Sequence, residues 1–152
     1  MRKPKDRNYQ QITKALEFNG HASNYCVTAA ACAVSGLSAG KVVALAKRHV
    51  DGFTLGKGMT ISQARDLLEA VYAGDDFVIQ GGEYNTSNYE GKQFRSVVKE
   101  LCEKGGRHII ITMNSKFGHA SAIRDGKLVD HYDAEQRQKV KYVITVPGRV
   151  QA

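Results

Sequence analysis

Asn24-Tyr25-Cys26-Val27-Thr28-Ala29-Ala30-Ala31 opens a run, Cys26 to Ser35, in which nearly every residue is small and apolar. A helix that is apolar on all sides has to be buried on all sides. The spacing therefore predicts a central helix, with Ser23 or Asn24 able to cap its first turn. Cys26 falls in that turn, where backbone N–H groups lack helix acceptors. Those groups and the helix dipole favour a thiolate at Cys26.

Upstream, Tyr9 to Phe18 reads as a short helix with Ile12, Ala15 and Leu16 on one face. Residues 1–8 read as a flexible, basic arm. Downstream, Ser38 is placed to cap a helix running to about Val50. Thr60-Ile61-Ser62-Gln63 has the form of a capping box, starting a helix to about Tyr72. Phe77-Val78-Ile79 is a short strand candidate. A helix is expected from about Gly91 to Lys104, stopped by Gly105-Gly106. The pattern then changes. Arg107 to Met113 is a β-branched run suited to a buried strand. His119–Arg124 and Lys127–Tyr132 flank Asp125-Gly126, a two-residue hairpin turn signal. Val140 to Val146 makes a last strand. Helices first and an antiparallel sheet after them define a single α+β domain over residues 1–152.

The hairpin register brings a second part of the chemistry together. Pairing Arg124 with Lys127 sets Ser121 opposite Asp130 and His119 opposite Tyr132, so His119 and Asp130 become diagonal neighbours. A three-residue turn would set Asp133 opposite His119 instead. Cys26, His119 and Asp130, with Asp133 in reserve, are thus a candidate nucleophile, base and orienting carboxylate. The Cys26 N–H can supply one oxyanion donor.

Composition bounds the alternatives. The chain has 152 residues, 42% hydrophobic and 24% charged, as in ordinary globular domains. No apolar run approaches the ~20 residues of a membrane span, and no apolar signal region follows the basic start, so a cytoplasmic protein is expected. Three cysteines without a C-x-x-C pair suggest free thiols in a reducing compartment and no metal site. Gly56-Lys57-Gly58-Met59 lacks the Ser or Thr of a phosphate-binding loop. The net charge of +7 permits attraction to nucleic acid but defines no site for it.

The layout resembles papain-like cysteine peptidases, and more closely their small phage- and bacteria-type hydrolases. The motifs that carry the resemblance are Asn24-Tyr25-Cys26 with Ala29-Ala30-Ala31, Gly106-Arg107-His108-Ile109-Ile110, Gly118-His119-Ala120 and Asp125-Gly126-Lys127-Leu128-Val129-Asp130. The resemblance implies a thiol hydrolase of the peptidase or amidase type. It would work through a thioester on Cys26, without a cofactor, on a polypeptide or amide-bearing substrate. The family places a glutamine about six residues before the cysteine for the oxyanion hole. Gly20 stands there, which leaves Asn19, His21 and Asn24 as the side-chain candidates. The second reading is an inactive protein on the same fold, such as a phage-type accessory protein that binds a host protein or associates with nucleic acid. Loops 51–59 and 80–90, with Phe53, Tyr84 and Tyr89, are where a substrate cleft would be lined.

Overall fold

The computed structural model describes residues 6–18, 25–54, 58–84, 89–113, 118–130 and 138–150. They form helices α1 (Arg7–Phe18), α2 (Cys26–Ser35), α3 (Ala39–His49), α4 (Ile61–Tyr72) and α5 (Phe94–Lys104). The strands are β1 (Val78–Gln80), β2 (Arg107–Met113), β3 (Gly118–Arg124), β4 (Lys127–Leu128) and β5 (Val140–Val146). The strands make one sheet in the order β1-β5-β2-β3-β4, antiparallel at every pairing. The architecture is α+β. No single helix among the described residues is long and apolar enough to cross a membrane.

Local chemistry explains most boundaries. Ser38 Oγ accepts from Lys41 N at 3.2 Å and starts α3. Thr60 and Gln63 close a full capping box on α4. The β3–β4 turn puts Asp125 and Gly126 at φ 54° and 83°, the left-handed pair that a two-residue hairpin needs. Two helix starts differ from expectation. Residues 6–8 are not part of an arm: Arg7 and Asn8 open α1, and the Asp6 carboxylate accepts from Tyr9 N at 2.8 Å. Residues 1–5 lie outside the described residues. Helix α5 begins at Phe94 rather than near Gly91, because residues 91–94 are drawn onto the lead-in to β5. Gly91 N donates to Val140 O, Val140 N to Lys92 O, and Phe94 N to Gln138 O.

The sheet separates two apolar clusters. On one face α1 to α4 enclose Ile109, Ala120, Ala122, Tyr142 and Ile144. On the other, Phe94, Val97 and Leu101 of α5 cover Ile110, Ile123 and Val143. Ala15, expected on the inner face of α1, is exposed; Tyr9, Ile12 and Leu16 are the buried stripe. Tyr89, a candidate cleft residue, is buried in the α5 cluster instead, since an aromatic ring there closes the gap between α5 and the sheet.

Helix α2 is the central element. Residues Thr28 to Ser35 are all buried. Its small side chains lie on β3, where Ala120 and Ala122 answer with equally small ones. Small against small lets helix and strand approach closely.

Candidate active site

Strand β4 is only two residues long, and that shortness makes the site. The hairpin register is as expected through Arg124↔Lys127 and Ile123↔Leu128. Val129 N still donates to Ala122 O at 3.0 Å. There a side chain replaces the backbone as the next partner of β3; the expected continuation through His131 and Tyr132 lies outside the described residues. Asp130 Oδ1 accepts from Ala122 N at 2.9 Å. Two residues back along the same edge, Ala120 N donates to Cys26 Sγ at 3.4 Å. Successive edge-facing amides of β3 thus hold the carboxylate and the sulfur.

His119 lies between them. Its Nε2 is 3.5 Å from Asp130 Oδ2. A carboxylate only accepts, so Nε2 carries the hydrogen and Nδ1 is the nitrogen left for the thiol. The imidazole is largely buried, which by itself would lower its pKa. Hydrogen bonds to Asp130 and to Cys26, and the negative charge at both, outweigh that and push it up to about 9. Asp130 is 3% exposed. Its Oδ2 has no closer hydrogen-bond partner among the described residues than His119 Nε2. A buried carboxylate this sparsely bonded favours a cationic ring beside it.

Cys26, His119 and Asp130 thus come together on one strand: the bond that holds Cys26 to Ala120 spans 94 residues of chain and the one that holds Asp130 to Ala122 spans 8. The N-cap of α2 is Tyr25, not Ser23 or Asn24, and its side chain makes no cap bond. The first helix bond is Ala29 N to Tyr25 O, so the N–H groups of Cys26, Val27 and Thr28 have no acceptor within the helix. The Cys26 N–H, beside its own sulfur, is one of these three. The side-chain oxyanion candidates Asn19, His21 and Asn24, and the reserve carboxylate Asp133, lie outside the described residues. Cys32 is buried and Cys102 half-buried; both are free, and burial pushes both thiols up, Cys32 to about 12.

Sequence reasoning missed Tyr9. It is 5% exposed. Burial first, and then the charges of Asp130 and Cys26, raise its pKa, so its hydroxyl stays protonated beside the site. The spacing of Tyr9, Ile12 and Leu16 puts the ring on the buried stripe of α1, but nothing in the sequence says which group that stripe meets.

The other side chains expected at a cleft are elsewhere. Tyr84 borders an open groove of about 350 Å³ with Arg65, Glu69, Phe77 and Ile79, along the β1 edge of the sheet. That edge is opposite the one that carries the site. Phe53 is half-buried against the α2 side of the core. Among the described residues no three His, Cys, Asp or Glu side chains gather as a metal would require. Comparisons with protein-family models, with curated proteins and with solved structures find no match for this chain.

Proposed function

We propose that this protein is a cysteine-dependent hydrolase of peptide or amide bonds, a small hydrolase of the papain-like kind. The observation that carries the reading is the meeting of Cys26, His119 and Asp130 at the edge of β3 beyond the end of β4. Cys26 is the nucleophile. As thiolate it attacks the carbonyl carbon, and the carbonyl electrons move onto oxygen, which the Cys26 N–H stabilises. When the tetrahedral intermediate collapses, the C–N bond breaks and the amine leaves with the proton held by His119. The acyl group remains on sulfur as a thioester. Water then attacks, giving its proton to His119. The acid is released and the thiolate restored. Asp130 fixes the His119 tautomer and stabilises the imidazolium.

The test is thiol labelling followed by turnover. Iodoacetamide, applied briefly to the folded chain between about pH 5 and 8, is expected to modify Cys26 alone. Reaction should persist well below the ~8.5 of a free thiol and be lost in His119→Ala. In a screen of peptide and amide substrates, Cys26→Ala abolishes turnover. His119→Ala lowers it on the order of 10²–10⁴-fold. Labelling of Cys26 no faster than Cys32 or Cys102 would sink the reading. A binding role that survives Cys26→Ala would replace it.

A further inference from the structure

The two ends of α2 are treated differently. At its C-terminal end all four last carbonyls have partners. Cys32 O accepts from Gly36 N at 2.9 Å and Ser35 O from Val150 N at 2.8 Å. Val34 O accepts from Arg107 Nη1 at 2.8 Å, and Ala33 O from Arg124 Nη1 at 3.4 Å. The last turn contains no basic residue of its own, so the sheet supplies the positive charge that a helix C-terminus favours. Arg107 and Arg124 are direct cross-strand partners, a repulsive pairing unless each has a counter-ion. Arg107 has Asp125 at 3.1 Å, in the exposed turn. Arg124 has Asp6 at 2.6 Å, and its Nη1 also donates to Asn8 Oδ1 at 3.0 Å.

Arg124 thus joins three elements that each bring a group to the site: α1 with Tyr9, α2 with Cys26, and its own strand β3 with His119. Among the described residues Arg107 makes its side-chain hydrogen bonds to α2 and the turn. We propose that Arg124 is a positioning residue for the Cys26–His119–Asp130 site, registering α1 and α2 on β3. The proposal rests on the hydrolase reading.

The physical need for it lies in α2 itself. A helix surfaced with alanines offers few large side chains to lock it along its axis, so directional bonds at its ends must do so. At the Cys26 end the N-cap residue, Tyr25, makes no side-chain cap bond. Cys26 lies about 10 Å along a stiff helix from Ala33. An axial shift at Ala33 is therefore carried to the sulfur. An arginine fits because its planar fork serves three acceptors in fixed directions, which a lysine cannot.

The experiment compares Arg124→Met, Arg124→Lys and Asp6→Asn with the parent chain. Two quantities are read: the Cys26 alkylation rate at pH 6, and the His119 titration midpoint by NMR. Arg124→Met is expected to slow Cys26 labelling by up to ~100-fold and to move the His119 midpoint down from about 9, as the bond to Cys26 is lost. Arg124→Lys should recover part of both. Asp6→Asn, which keeps the Ala33 contact, should shift both in the same direction by less, and it tests the idea if Arg124→Met does not fold. A folded Arg124→Met or Asp6→Asn chain that loses stability but keeps the parent labelling rate and midpoint overturns the proposal. Failure of the hydrolase reading looks different: the parent chain itself labels as an ordinary thiol. The His119 midpoint then still decides the role of Arg124.

Discussion

At the scale of the residue, the site is governed by how His119 is charged. Its pKa is pushed up to about 9 against the pull of burial. A raised histidine pKa stabilises the fold fully below its unfolded value near 6.5, and that contribution is lost as pH rises through about 9. Urea unfolding between pH 6.5 and 9.5 is therefore expected to show a steeper loss of stability in the parent chain than in His119→Gln. Equal slopes would mean that the ring is not held charged. Asp130→Asn keeps the shape but removes the carboxylate charge, so the His119 midpoint should fall below its parent value. Asp130→Ala goes further. It leaves the buried edge amide of Ala122 without its acceptor, at a cost of about 1–3 kcal/mol.

At the scale of the element, β2 provides a histidine with the opposite sign. His108 is buried at 1%. Its Nε2 is 2.8 Å from Gly105 O, a carbonyl, so Nε2 donates and Nδ1 accepts from Thr145 Oγ1 at 2.9 Å. Burial is the main cause of its lowered pKa. Protonation would bury a charge there and force the Thr145 hydroxyl to turn from donor to acceptor. The stabilisation is therefore complete above about 6.5 and fades as pH falls from there. His119 adds no slope in that range, so the loss between pH 6.5 and 5 belongs in part to His108. His108→Gln should flatten it in urea titrations; an unchanged acid limb would exclude that role. The contrast between the two histidines also shows what was legible in the sequence. The span of α2, the caps of α3 and α4, and strands β2 and β5 are written in local signals, Cys26-to-Ser35 smallness, Ser38, Thr60 and β-branched runs. The stop of β4 and the late start of α5 are not, because each is decided by a distant backbone group, Ala122 N for one and Val140 for the other. Cys26, His119 and Asp130 could be picked out by residue type and hairpin register. Tyr9 and Arg124 could not, since the neighbours of the first and the Asp6 and Asn8 contacts of the second are set only when α1 docks.

At the scale of the whole molecule, the sheet is a partition. Stability is drawn from both faces, but the groups of the site come together at the β3 edge, where the N-terminal end of α2 reaches it. Two substitutions of comparable cost should then have different consequences. Phe94 is 2% exposed and sits in the cluster beneath α5. Phe94→Ala removes a large buried ring and should cost about 3–5 kcal/mol. Under native conditions it should leave the His119 midpoint and Cys26 labelling as they are, because α1, α2 and the Arg124 contacts lie across the sheet. Ala30 is completely buried within α2. Ala30→Leu adds volume to a helix that has no slack, at about 1–3 kcal/mol. The helix can relieve that strain only by moving relative to its neighbours, including β3. Cys26 moves with it, away from Ala120 N and His119. The smaller loss of stability should therefore bring the larger loss of low-pH thiol reactivity. If labelling instead tracks stability across both variants, the site depends on the fold as a whole, and the small-on-small contact of α2 with β3 has no separate part in aligning it.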